Sequence, residues 1–218
     1  EAGIEHAYRN SLVMALWCGV LGAAITFAGA YWLEKTRGSN LLRPLIRFQA
    51  MLPMAVPGMV LGIGYILFFN LTTNPLNFLY GSLAILVIST IVHFYSSSHL
   101  TAVTALKQID SEFESVSASL KVPFYKTFWR VPVPVGLPSG LDIGRYYFVN
   151  AMTTISAVVF LYSPKSTLAS ISILQLDEAG AIGSAAAMAT LIVVTSAVVT
   201  GVLFAIEWWL IRRTQSWR

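Results

Sequence analysis

Long uncharged apolar stretches, separated by short charged clusters, dominate this chain. Residues 11–33 contain no Asp, Glu, Lys or Arg, and that length exceeds the roughly 20 helical residues needed to cross about 30 Å of hydrocarbon. Residues 48–106 are again free of charge. That is too long for one crossing, and the turn-rich 70–77 (NLTTNPLN) divides it into predicted spans near 51–69 and 78–95. A fourth span is predicted near 141–161, with Asp142 and Arg145 close to its beginning. A fifth, near 181–206, leaves through Glu207, Trp208, Trp209, Arg212 and Arg213, the aromatic and basic pattern of a bilayer interface. A lone strand would leave its backbone groups unpaired in lipid, so each span must be helical. The expected fold is an all-α, polytopic membrane bundle of about five transmembrane helices, forming one domain over residues 1–218.

Composition agrees with that pattern. The 218 residues are 56% hydrophobic and 11% charged, against roughly 45–50% and 25% in soluble domains. The net charge of +4 would suit nucleic acid if the cations formed a stripe, but they cluster between apolar spans. Lys35, Arg37, Arg43 and Arg47 follow the first span, Lys107, Lys121, Lys126 and Arg130 follow the third, and Arg212, Arg213 and Arg218 follow the fifth. Only Arg9 and Lys165 fall on the opposite side, with Arg145 inside the fourth span near the crowded end. The positive-inside bias therefore puts the amino terminus outside and the carboxyl terminus in the cytoplasm, with membrane lipid as surroundings and no nucleic-acid partner. Cys18 is the single cysteine, which leaves no intrachain disulfide and no Cys-based metal site. His93 and His99, placed where the third span leaves the membrane, do not share a helix face, so no metal or cofactor is expected. The opening at Glu1 rather than Met is expected of one end of a longer chain.

The loop 106–138 between the third and fourth spans carries the most pattern. Ser111 and Glu114 have the spacing of a capping box, followed by Phe113, Val116 and Leu120 as a narrow apolar stripe. Pro123 interrupts. Phe124, Phe128 and Val131 form a second short stripe, which Pro132 and Pro134 are expected to end. Such a helix-turn-helix fits a groove on a soluble partner or the surface of the lipid.

A resemblance favours the groove. The close Val131-Pro132-Val133-Pro134, with 120–130 (LKVPFYKTFWR) before it, resembles the cytoplasmic coupling loop of permease subunits of binding-protein-dependent ABC importers. That family's loop has Glu-Ala-Ala, a Gly four positions on, and Ile-x-Leu-Pro ten residues after the Gly. In this chain Lys121 stands at the Gly position, Ser115 at the start, and Glu114 one position early. Asn10-Ser11-Leu12, Pro53, Pro57-Gly58 and 185–189 are similar to the same permease core, and 149–180 most resembles the 2-aminoethylphosphonate permeases, with the ferric-iron type as neighbours.

The resemblance implies a type I importer fold in which Glu114, Val116, Leu120, Lys121, Pro123, Phe124, Phe128 and Pro134 couple to a cytoplasmic ATPase dimer. It also implies a second permease half (a twin, a paralogue or a fused copy) and a solute-binding protein outside. No Gly-Lys pair occurs, so the chain has no P-loop and no catalytic residue of its own. The expected solute is small and polar, 2-aminoethylphosphonate first, with ferric iron, a polyamine or another small solute as alternatives. A stand-alone secondary transporter or channel would place coupling charges at the midplane, which the chain lacks.

Within the spans, Asn150, Thr153, Thr154 and Ser156 either line the solute path or hold helices together. Asp142 and Arg145, three apart, can pair. Gly58 and Gly62 have the spacing of a close helix contact, and the neighbouring prolines make span two breakable. The external segment 162–180 is expected to meet a delivery protein or to cover the outer mouth.

Overall fold

The computed structural model describes residues 2–35, 42–109 and 112–214. Nine α-helices run through them: α1 Ala2–Lys35, α2 Leu42–Ala55, α3 Gly58–Phe69, α4 Leu83–Lys107, α5 Glu112–Ser119, α6 Phe124–Arg130, α7 Pro132–Thr153, α8 Ala169–Glu178 and α9 Ile182–Thr214. The fold is a helical membrane bundle. α1, α4 and α9 are each long and apolar enough to cross a bilayer. The pair α2 and α3, bent by 107° at its break, makes a fourth candidate only if the two halves count together. α7 has 22 residues, about 33 Å at helical rise, but it is less apolar, carrying Asp142, Arg145, three glycines and three prolines.

The bundle is organised around α1, which packs on α4 and α7. Close approach comes from paired glycines: a Cβ on Gly19 would stand 3.2 Å from the carbonyl oxygen of Gly144. Small residues let membrane helices touch backbone to backbone, where dispersion replaces the hydrophobic drive that lipid removes. One turn on, the ring of Tyr147 lies over Gly22, and its hydroxyl shares a 2.9 Å hydrogen bond with Thr26. Met14, Cys18, Tyr31, Ile85, Leu86, Ile143 and Met152 complete this buried centre. α9 packs on α7 and α8, and Tyr8 of α1 is hydrogen-bonded to Thr195 of α9.

Three expected boundaries move. The third span was expected over 78–95; the helix instead starts at Leu83, after Gly81 turns the chain at φ 73°, and runs on to Lys107. In the Ser- and Thr-rich second half, Thr101 donates to the Ser97 carbonyl at 3.2 Å and Thr104 to that of Leu100 at 2.8 Å. Hydroxyls satisfied on their own helix can stay in an apolar setting. His93 consequently lies well inside α4, not at its exit.

The fourth span, expected over 141–161, is α7 and stops at Thr153. It begins earlier than expected, at Pro132. Pro132 and Pro134 open this helix rather than ending the loop, because a first turn has N–H groups without helical acceptors and a proline there loses nothing. After Thr153 the backbone is irregular until α8. Its carbonyls are met from outside: Ser170 donates to Thr154 O at 2.8 Å and Ser89 to Ala157 O at 2.7 Å. Such backbone survives at membrane depth only when buried in protein, and Ala157, Val158 and Leu161 are buried.

The second span, expected over 51–69, is not one helix. Pro53 lies inside α2 and Pro57 caps α3. Ser96 of α4 joins the bend, donating to Ala50 O at 2.8 Å while accepting the Met54 N–H at 3.2 Å. A side chain inserted between those two groups is a recognised cause of helix bending.

Candidate functional site: a hook and a polar seam

The hook is α5, a turn, and α6. α5 ends in paired bonds, Lys121 N–H to Ala118 O at 3.1 Å and Val122 N–H to Ser117 O at 2.9 Å. This is a Schellman cap, whose turning residue adopts the left-handed region and is usually glycine. Here the turning residue is Lys121, with φ 53°, the one non-glycine positive φ among the described residues. The position where the resembling family has Gly is therefore the position that needs glycine's freedom, and Lys121 makes the same bend under strain. Pro123 follows as the N-cap of α6, its carbonyl accepting the N–H groups of Lys126 at 2.9 Å and Thr127 at 3.3 Å.

Two faces result. Phe128 turns inward: its ring lies 4.7 Å from that of Tyr31 and 6.4 Å from that of Phe27, both on α1. Outward, Val116 is 56% exposed, Leu120 70%, Tyr125 61% and Trp129 66%, with Phe113 also exposed. Phe128, half-buried, thus packs the hook onto α1, while Tyr125 and Trp129, which sequence reasoning passed over, are exposed. Both pairs have i, i+4 spacing, so periodicity alone could not say which faced in. Pro123 is exposed, and Pro134 is exposed in the first turn of α7. Ser111 of the expected capping box, and the side chains of Glu114 and Phe124, lie outside the described residues.

The expected path residues separate. Asn150 is half-buried and donates to Tyr146 O at 2.8 Å. Thr153 is exposed and bonds back to Val149 O at 3.1 Å. Thr154 leaves the shared face: it is extended, at φ −67° and ψ 137°, and buried as the C-cap of α7. Helical spacing could not place it beside Asn150 because the helix has already ended. Ser156 sits against the start of α3, where a Cβ on Gly58 would fall 2.6 Å from its Oγ and 3.1 Å from His93 Cε1. Gly62 does the same against Phe160 at 3.3 Å. Gly58 and Gly62 are therefore packing positions.

Charge is paired. Asp142 and Arg145 form an ion pair on α7 with both side chains about one-third exposed, and Arg47 of α2 grips the Glu34 carboxylate of α1 at 2.8 and 2.9 Å. At the other end of the bundle Asn10 donates to Lys165 O and Thr167 O, each at 3.1 Å, and Ser11 accepts the Ala169 N–H at 2.8 Å. These bonds tie the start of α1 to the segment leading into α8. Beside them lies a cavity of about 660 Å³ lined by His6, Lys165, Ser172 and Gln175. No group of three or more His, Cys, Asp or Glu side chains with metal-site geometry occurs among the described residues.

The described residues thus form a helical membrane bundle with an amphipathic hook projecting from one end. Residues 11–212 match the family of binding-protein-dependent transport system inner membrane components, and the chain belongs to that family. Membership makes it an inner-membrane component of a transport system, in keeping with its several apolar helices long enough to span a bilayer.

Among curated relatives, it is 34% identical over 163 residues to the ferric transport system permease protein FbpB of Actinobacillus pleuropneumoniae. That match covers 75% of this chain and 23% of the relative, so the chain spans less than a quarter of that protein. Among solved structures, a bacterial ABC transporter that imports the acidic polysaccharide alginate has a similar fold, with TM-score 0.80 at 15% identity over 98% of this chain and 80% of that one. A bacterial alginate ABC transporter in complex with an alginate pentasaccharide-bound periplasmic protein gives 0.72 at 16% over 95% of this chain and 78% of that one. The inward-facing MetNI methionine ABC transporter gives 0.74 at 14% over 95% of both chains.

Proposed function

We propose that this chain is one half of the translocation pore of an ABC importer for ferric iron, and that α5 and α6 dock into a cleft on a cytoplasmic ATPase dimer. The observation that carries the reading is the hook itself. Its inner ring is fixed to α1, its outer face is apolar and exposed, and an exposed apolar surface of that kind on a short helix pair is suited to a groove on a partner. Because the anchor reaches α1, a push on the hook is delivered to the centre of the bundle.

The orientation that places the hook in the cytoplasm rests on the distribution of Lys and Arg. It puts α8 and the cavity beside His6 and Lys165 outside, where a solute-binding protein would deliver cargo. Of the solutes that the sequence suggested, ferric iron is the one supported by a curated relative, and it replaces 2-aminoethylphosphonate as the first choice. The second half of the pore is a twin, a paralogue or another part of a longer chain.

The test is binding of the purified ATPase to the detergent-solubilised chain. Leu120→Asp and Tyr125→Asp should abolish binding while leaving the thermal transition in place. Unchanged binding by both, with partition into anionic lipid lost instead, would make the hook an interfacial element and sink the coupling role.

A further inference from the structure

One polar stripe follows α4 into its C-cap, buried at Thr90, half-buried at His93 and Ser97, and exposed from Thr101 onward. Thr90, His93, Ser97, Thr101, Thr104 and Gln108 are separated by threes and fours, the repeat that keeps side chains on one side of a helix. α7 carries a matching stripe of Ser139, Asp142, Tyr146, Asn150 and Thr153. The two helices pack together, and the hook-side halves of the stripes meet around two cavities. One, of about 260 Å³, is lined by Ser97, Thr101, Asp142, Arg145 and Tyr146 among others. The next, of about 350 Å³, shares Thr101 and adds Thr104, Gln108 and Ser139.

Polar groups that merely hold membrane helices together bond across the interface. These bond inward. Thr101 and Thr104 donate their hydroxyls, and Asn150 one of its two amide N–H groups, to carbonyls of their own helices, at 3.2, 2.8 and 2.8 Å. A hydroxyl that donates back in this way still has oxygen lone pairs to offer. The seam is therefore rich in acceptors around one carboxylate, a set suited to a hard cation. The ion pair fits the same picture. Intramembrane charges normally face a bundle interior or a wetted cavity, and Asp142 and Arg145 border the cavity with a third of each side chain open.

We propose that the α4–α7 seam is the stretch of the solute path nearest the hook. In it Asp142, with oxygens of Ser97, Thr101 and Tyr146 around it, contacts a cationic solute, and Arg145 is the counter-ion that holds the carboxylate when the seam is empty. This rests on the pore reading above and adds to it a named station and a charge preference.

The test uses the full chain in membrane vesicles with Cys18→Ser as background. Single cysteines at Ser97 and Thr101 are exposed to a charged, membrane-impermeant thiol reagent from each side, with Val194→Cys on the outer face of α9 as the lipid-facing control. Expected is labelling an order of magnitude faster than the control from the hook side, slowed severalfold by Fe(III) supplied as its citrate chelate, with that protection lost in Asp142→Asn. Labelling as slow as the control, or protection that survives Asp142→Asn, overturns the proposal. A second arm measures Fe(III) uptake with the ATPase and binding protein present. Exchanging the pair, Asp142→Arg with Arg145→Asp, should leave uptake lost; full recovery would show a structural pair and overturn the proposal. Protected labelling of the single-cysteine chains, together with no Fe(III) uptake by the wild-type chain, would sink the pore reading while the cation site stands.

Discussion

The ring of Phe128 on α6 stacks at a tilt against that of Tyr31 on α1, 4.7 Å between centroids, so the shortest described α-helix is fastened to the helix around which the bundle is organised. Tyr31 is itself fully enclosed. Removing the Phe128 ring should therefore be felt as stability. Phe128→Ala is expected to cost about 2 kcal/mol, below the 3–5 of a fully buried ring because Phe128 is only half-buried. Trp129→Ala, one residue on and facing outward, should leave the thermal transition in place and weaken ATPase binding. Thermal denaturation in detergent beside a binding assay separates the two, and equal destabilisation by both variants would contradict the two-faced hook.

Lys121 gives a prediction of opposite sign. A non-glycine residue in the left-handed region pays roughly 1–2 kcal/mol, while the extra entropy of glycine favours the unfolded chain by about 0.5–1 kcal/mol. Lys121→Gly should thus stabilise the hook by a net amount up to about 1.5 kcal/mol. A β-branched Lys121→Val should destabilise it. Resistance of the turn to limited proteolysis would report both changes, and faster cleavage of the glycine variant would refute the strained cap.

At Gly22 there is no room for a methyl group. A Cβ there would stand 2.7 Å from the Tyr147 ring, which is held by Thr26 and cannot swing aside without losing that bond. Gly22→Ala is expected to destabilise by about 1–3 kcal/mol, the usual result of overpacking. Gly183→Ala, where nothing lies within 4 Å, is the control and should be neutral in the same melt.

Ser96 supplies both partners at the bend of α2. Ser96→Ala would strand the Met54 N–H and the Ala50 carbonyl, at a cost of about 1–3 kcal/mol for buried groups left without partners. Ser96→Thr, which keeps the hydroxyl, should recover most of the loss. Equal loss in both would mean that the bond does not fix the bend.

The chain determined by itself that the protein is helical and lives in a membrane, because a run of apolar residues as long as 11–33 has no other way to satisfy its backbone. It also located the hook, since alternating short apolar stripes and prolines are local signals, and it marked Lys121 as the odd residue at a turn. Tertiary structure decided the rest. Whether Phe128 or Trp129 faced inward depended on α1, a hundred residues away in the chain. α4 continued through its Ser and Thr residues because their hydroxyls found carbonyls on the same helix, and α7 stopped at Thr153 because Ser89 and Ser170 could serve the carbonyls beyond it. Periodicity reports what one helix offers; only the neighbours that accept or refuse each face decide where a helix ends and which of its residues remain free.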